Sequence, residues 1–153
     1  MKFLRSCALL GYFYGGKRRL LIQDRMTKDP VTVEPSDTLA VARAKMKAGS
    51  YRRLPVVDAG KVVGILSEYD LKNHPHRLDS TLVQTAMAGS PVTVSSSQSL
   101  EHAVALLRKH NIGALLVVDH GKLVGIVTAK DLSMPEPRPL PEWDPRTHRK
   151  TPL

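Results

Sequence analysis

Ser67 and Asp70, and again Thr128 and Asp131, set a hydroxyl and a carboxylate three residues apart, a spacing that puts both groups on one side of the first turn of a helix. Free backbone N–H groups at a helix start, together with the hydroxyl, can receive a phosphate, and a carboxylate can accept hydrogen bonds from two neighbouring ribose hydroxyls. Such a site suits a nucleotide. Ser/Thr-x-x-Asp at a helix start also resembles a capping box, in which the side chains serve only the backbone. The motif alone favours capping; its duplication, described below, favours a ligand in at least one site.

The two copies of the motif enclose different residues, Glu68-Tyr69 in the first and Ala129-Lys130 in the second. Lys130 attracts a phosphate and Glu68 repels one unless both point to solvent, the default for charges at a helix start; the second site is the better candidate for a charged nucleotide. Arg52 and Arg53 stand where the other copy has Gly113 and Ala114. Two guanidinium groups there could clamp a phosphate, reaching across into the other copy's site, or could stand in a solvated loop. Thr32-Val33 and Thr93-Val94, within Val-Thr-Val runs, are candidates for an adenine wall, with exposed backbone edges to read the base and valines to cover its face. The alternative is plain core strand, and alternate faces can serve both purposes.

Other chemistry finds little support. The chain carries no nucleophile elbow, no Walker-type glycine-rich loop and no HExxH helix. His74 and His76 flank Pro75 without a third ligand nearby in sequence, and His102 and His110 are eight apart, a poor chelating spacing. Neither catalysis nor a metal is expected.

The elements that position the motif come from a duplication. Residues 26 to 71 align with 87 to 132 without a gap at an offset of 61, with 20 of 46 pairs identical, where chance gives roughly three. Each copy opens Met-x-x-x-Pro-Val-Thr-Val, read as a short strand from Met26 or Met87. Helical spacing follows at Leu39, Ala42 and Met46, and at Leu100, Ala103 and Leu107, with Ser36 or Asp37 and Ser97 as N-caps. Two apolar runs then flank Gly60 or Gly121 as a strand pair, and a helix begins at Ser67 or Thr128. The unit is β-α-β-β-α, used twice, and the fold class is α/β (α+β). One copy buries too little alone; two packed with pseudo-twofold symmetry share a core and leave two clefts where they meet.

The chain divides on this reading into a basic and apolar extension (1–21), repeat one (22–78), repeat two (79–133) and a proline-rich tail (134–153) anchored by Trp143. Its net charge of +9 lies mostly at the front, where residues 1–25 hold six Lys/Arg against one Asp. Lys17-Arg18-Arg19 could touch nucleic acid or lipid, but a solvated end is the commoner meaning of so short a run. The opening MKFLRSCALLGYFYGG is a poor secretory signal and too short to span a bilayer. The lone Cys7 fits a reducing compartment. A cytoplasmic protein is expected, with neither a membrane nor nucleic acid as partner.

Met-x-x-x-Pro-Val-Thr-Val, Leu-Pro-Val-Val-Asp, and Gly-Ile-Leu-Ser-Glu-Tyr-Asp with its partner Gly-Ile-Val-Thr-Ala-Lys-Asp occur in order and mostly twice. Over residues 22 to 133 the chain resembles a tandem pair of cystathionine-beta-synthase (CBS) domains. The resemblance implies a regulatory pair, often dimerised into a disc, that binds AMP, ADP, ATP or S-adenosylmethionine. It also implies that Ser67 or Thr128 contacts phosphate and that Asp70 or Asp131 contacts ribose. The resulting expectation is a homodimeric sensor acting on an effector protein in trans. The alternatives are a ligand-free dimerisation scaffold and a nucleic-acid binder acting through the basic arm.

Overall fold

The computed structural model describes residues 19–133 and the backbone of 143–144 and 149–150. Cys7, the signal-like opening, Lys17, Arg18 and the side chain of Trp143 lie outside the described residues. Each repeat is built on a hairpin: β2 (Arg53–Asp58) with β3 (Lys61–Ser67), and β6 (Ala114–Asp119) with β7 (Lys122–Thr128). Both hairpins turn through two residues of positive φ, Ala59-Gly60 and His120-Gly121, the backbone that a tight hairpin requires and that glycine adopts without a Cβ clash. A bulge falls at the same place in each, between Val56 and Val57 and between Val117 and Val118.

Helix α1 (Leu39–Gly49) buries Leu39, Ala42 and Met46, and α4 (Leu100–His110) buries Leu100, Ala103 and Leu107. These are the positions that helical spacing picks out. The caps sit later than expected. Thr38 accepts from the Val41 amide at 3.3 Å and Ser99 from the His102 amide at 3.2 Å. Asp37 instead accepts from the Glu34 amide, as Gln98 does from Ser95, closing the turn before each helix. Both helices end on a left-handed residue, Ser50 or Asn111, a common helix stop.

The two expected opening strands differ. Val33 makes a single bridge to Val56, whereas β5 (Thr93–Val94) forms a short parallel ladder with β6. Proline explains the difference: the Leu116 amide donates to the Val92 carbonyl, and Pro55, its counterpart, has no N–H to give. The final helix appears in repeat one as α2 (Glu68–Lys72); in repeat two, residues 129–133 form only turns.

The repeats exchange their openings. β1 (Thr27–Lys28) pairs with β7 of the second repeat, and β4 (Ala88–Gly89) pairs with β3 of the first. Ile22, in a 3-10 turn (Ile22–Asp24), is buried in the second repeat's core, while Val83, on the one-turn α3 (Val83–Ala86), is buried in the first's. Matching backbone bonds hold each segment, Ile22 N–H to Gln98 O at 2.8 Å and Val83 N–H to Asp37 O at 2.8 Å. Two glycines admit the crossings: a Cβ on Gly64 would stand 2.5 Å from Met87 Sδ, and one on Gly125 would stand 2.6 Å from Met26 Sδ. The packed halves are therefore offset from the sequence repeats, since residues 20–28 belong to the second core and 81–89 to the first. A third cluster forms the seam between halves, where Ala114, Leu116 and Ile126 meet Val62, Ile65 and Leu123.

In the tail, β8 (Trp143–Asp144) pairs antiparallel with β9 (Arg149–Lys150), where an extended chain is expected. No helix among the described residues is long and apolar enough to cross a membrane.

Candidate functional site

Two clefts open where the halves meet, with most of their lining positions related through the offset of 61. The Asp131 cleft, about 400 Å³, is lined by Thr27, Pro30, Val31, Tyr51, Arg52, Arg53, Thr128, Lys130 and Asp131. The Asp70 cleft, about 310 Å³, is lined by Arg53, Ser67, Asp70, Pro91, Val92, Ile112, Gly113 and Ala114. The strand exchange brings this about: the hydroxyl and carboxylate come from one repeat, the Pro-Val wall and the loop after the long helix from the other. Arg52 thus lines the cleft of the other copy's motif, and Arg53 lines both clefts.

At each motif the capping bonds are made. Asp70 Oδ2 accepts from the Ser67 amide at 2.8 Å and its hydroxyl at 2.9 Å, and the Asp70 amide donates back to Ser67 Oγ at 3.2 Å. Thr128 and Asp131 repeat the pattern at 2.8, 3.0 and 3.3 Å. Capping and lining coincide in the same residue. The bonds that each carboxylate accepts all go to Oδ2, so Oδ1 is left to accept from a ligand's hydroxyls. The Thr128 hydroxyl can donate to a phosphate only by releasing Asp131.

The wall residues are shifted from expectation. Val33 and Val94 are core, and neither they nor Thr32 and Thr93 line a cleft. Their backbone is also engaged: the Thr32 carbonyl accepts from Lys45 Nζ at 2.9 Å, and Val33 bonds to Pro55 and Val57. Val31 and Val92 take the wall position. Val31 is 38% exposed, and its amide and carbonyl make no hydrogen bond among the described residues. The Val92 carbonyl is already taken by Leu116. The sequence signal was the proline preceding each of these valines, which follows the end of the exchanged strand and sets the valine at the cleft.

Charge separates the clefts. Arg52, Arg53 and Lys130 line the Asp131 cleft against one carboxylate, while Arg53 is the cation lining the Asp70 cleft. Glu68 lines a third cavity of about 720 Å³ within repeat one, beside Arg43, Lys47 and Lys72, and does not line the Asp70 cleft. That cavity is larger but lacks the hydroxyl–carboxylate pair.

Two hairpin-centred halves exchanging opening strands around paired clefts define a tandem CBS-type module. The CBS domain family matches residues 22–77 and 83–134, and the chain belongs to it. It is 34% identical over 129 residues to a CBS domain-containing protein of Dictyostelium discoideum, covering 74% of this chain and 89% of that one. With the CBS domain-containing protein YhcV of Bacillus subtilis it shares 34% over 116 residues, covering 74% and 83%. Inosine-5'-monophosphate dehydrogenase of Mycobacterium leprae is 37% identical over 122 residues, a stretch that is 78% of this chain and 23% of the enzyme. Among solved structures, CBSX2 in complex with AMP matches at 33% identity and TM-score 0.64, covering 74% of this chain and 92% of that one. The CBS domain pair of MJ0100 in complex with 5'-methylthioadenosine and S-adenosyl-L-methionine matches at 28% and 0.69, covering 74% and 93%.

Proposed function

We propose that this CBS pair is a regulatory module rather than a catalyst, that it binds an adenine nucleotide in the Asp131 cleft, and that it signals to a separate effector as a homodimer. The observation that carries this reading is the make-up of that cleft. Asp131 Oδ1 can accept from ribose hydroxyls, Val31 has an exposed side chain and an unbonded backbone edge that can meet a base, and Arg52, Arg53 and Lys130 line the same cleft and can attract a phosphate. The adenosyl ligands held by CBSX2 and MJ0100 support the same class. A ligand there touches both halves, so it favours whichever relative placement of the halves fits it best, and that bias is what a partner can read.

Thermal unfolding against AMP, ADP, ATP, S-adenosylmethionine, NAD and cyclic dinucleotides tests the reading. A ligand at 100 times its Kd adds about 2.7 kcal/mol, a rise of several degrees. A selective rise that Asp131→Ala abolishes supports the sensor. No rise with any ligand, with a dimer persisting in sedimentation, favours the dimerisation scaffold.

A further inference from the structure

The third cavity, about 720 Å³, adjoins the Asp131 cleft: Ser50, Tyr51 and Arg52 line both. These residues leave the end of α1, where Ser50 takes the left-handed conformation and the Tyr51 ring folds back over Gly49, on which a Cβ would run into it. The rest of the cavity lies between α1 and α2. Arg43 and Lys47 line it from α1, Glu68 and Lys72 from α2, each pair four residues apart, and buried Met46 and Leu71 supply its apolar lining. Helix α1 carries Arg43, Lys45 and Lys47 and no carboxylate, and like charges four apart on one face destabilise a helix. Lys45 donates to the Thr32 carbonyl, whereas Arg43, Lys47, Arg52 and Lys72 form no ion pair among the described residues. The second repeat does not reproduce this set. Val104, Ile112, Gly113, Ala129 and Ser133 stand in place of Arg43, Tyr51, Arg52, Glu68 and Lys72, and Val104 and Ile112 pack against the core. The cationic cavity is therefore not a by-product of the repeated fold.

We infer that the Asp131 cleft and this cavity take one ligand between them, a nucleotide whose first phosphate lies at Arg52 and whose further phosphates run past Tyr51 toward Arg43, Lys47 and Lys72. Arg52 is the link, since it lines both spaces. A recess lined by four cations against Glu68 concentrates the field on an anion, and each added phosphate oxygen gains a charge-assisted partner there. A monophosphate is satisfied within the Asp131 cleft and does not reach the cavity. The module then distinguishes nucleotides by the length of their phosphate chain, favouring ADP and ATP over AMP. This inference rests on the nucleotide reading above.

Calorimetric titration of the full chain with AMP, ADP and ATP, magnesium withheld, tests the extension. ATP is expected to bind about tenfold more tightly than AMP, the scale of one charge-assisted hydrogen bond, with ADP between them. Arg43→Gln combined with Lys72→Gln should remove that gain and leave AMP affinity unchanged. Both side chains are exposed, so thermal unfolding of the unliganded variant should match that of the unmodified chain. Lys109→Gln combined with Lys122→Gln removes the same charge from exposed positions that line neither space and should leave the preference for ATP intact. If ATP binds no better than AMP, or its gain survives the Arg43 and Lys72 substitutions, the extension is overturned and the nucleotide reading stands. If the Lys109 and Lys122 substitutions erase the gain equally, net charge is its cause and the extension is overturned. Inorganic triphosphate binding as tightly as ATP would make the cavity an anion site of its own and overturn the shared ligand. Absence of heat and of any rise in thermal unfolding with all three nucleotides overturns the nucleotide reading and the extension together.

Discussion

At the scale of single residues, Asp131 and Asp70 each do two things at once, and a substitution must separate them. Asp131→Ala is expected to weaken nucleotide binding by about 1.5 to 3 kcal/mol, as hydrogen bonds to a charged group do, and also to remove the bonds that Asp131 accepts from the Thr128 amide and hydroxyl. Asp131→Asn keeps an oxygen for the Thr128 amide and isolates the binding loss. A smaller binding loss in Asp70→Ala than in Asp131→Ala is expected from the charge around each; the reverse order would place the nucleotide in the other cleft. The motif residues were legible in the sequence because hydroxyl and carboxylate spacing follows from helical geometry alone. The wall was not, since alternation along Val31-Thr32-Val33 says that neighbours face opposite ways without saying which way is the core.

Asp119 is a residue whose surroundings the duplication does not announce. The Ser96 hydroxyl holds its carboxyl below the usual range, aided by the Ser96 amide, the Ser95 hydroxyl and His120 and opposed by partial burial. The Ser96 amide stands at 3.0 Å and Ser95 Oγ at 2.9 Å. The first repeat has Glu34 and Pro35 in place of these serines. Because the folded pKa is depressed, the stabilising contribution is complete above the unfolded value of about 3.9 and is lost as pH falls through the folded value. Ser96→Ala should therefore move the midpoint of acid unfolding to higher pH, and Asp119→Asn should flatten that limb. An unchanged acid limb in both variants would show that the cluster contributes nothing to folding.

At the scale of elements, the hairpins and long helices were readable because glycine turns and period-3.6 spacing are local properties. The caps were displaced because Asp37 and Gln98 are used one turn earlier, a choice made by loop geometry that composition does not fix. The exchange of β1 and β4 was hidden for a different reason: its determinants are Met26 and Gly125, or Met87 and Gly64, which are far apart in sequence and meet only across the repeat boundary. Gly64→Ala and Gly125→Ala test this contact directly. Each adds a methyl 2.9 Å from a backbone carbonyl, that of Ala88 or Thr27, an overpacking that typically costs about 1 to 3 kcal/mol. Denaturant unfolding should show comparable losses for the two. A loss confined to one would mean that the crossings are not energetically equivalent.

For the whole molecule, sequence repeats and packed halves are different divisions of the same chain, and fragments can tell which one folds. A fragment of residues 22–78 follows the sequence repeat but lacks Val83 and β4, and it exposes Ile22, whose burial is completed only by the second half. A fragment of 29–89 keeps Val83 against Leu39 and Val56, keeps β4 on the edge of β3, and covers Gly64 with Met87. Burying a side chain the size of valine contributes about 1.5 kcal/mol or more, a large share of what a unit this small can hold. The 29–89 fragment should therefore show the greater ordered content by circular dichroism and the greater amide protection by hydrogen exchange. Equal behaviour would mean that the exchanged segments are attached to the halves rather than part of them. The same offset bears on the proposed ligand: each cleft takes its carboxylate from one repeat and its wall from the other, so neither repeat holds a complete candidate site, and a ligand that filled a cleft would act on the contact between halves.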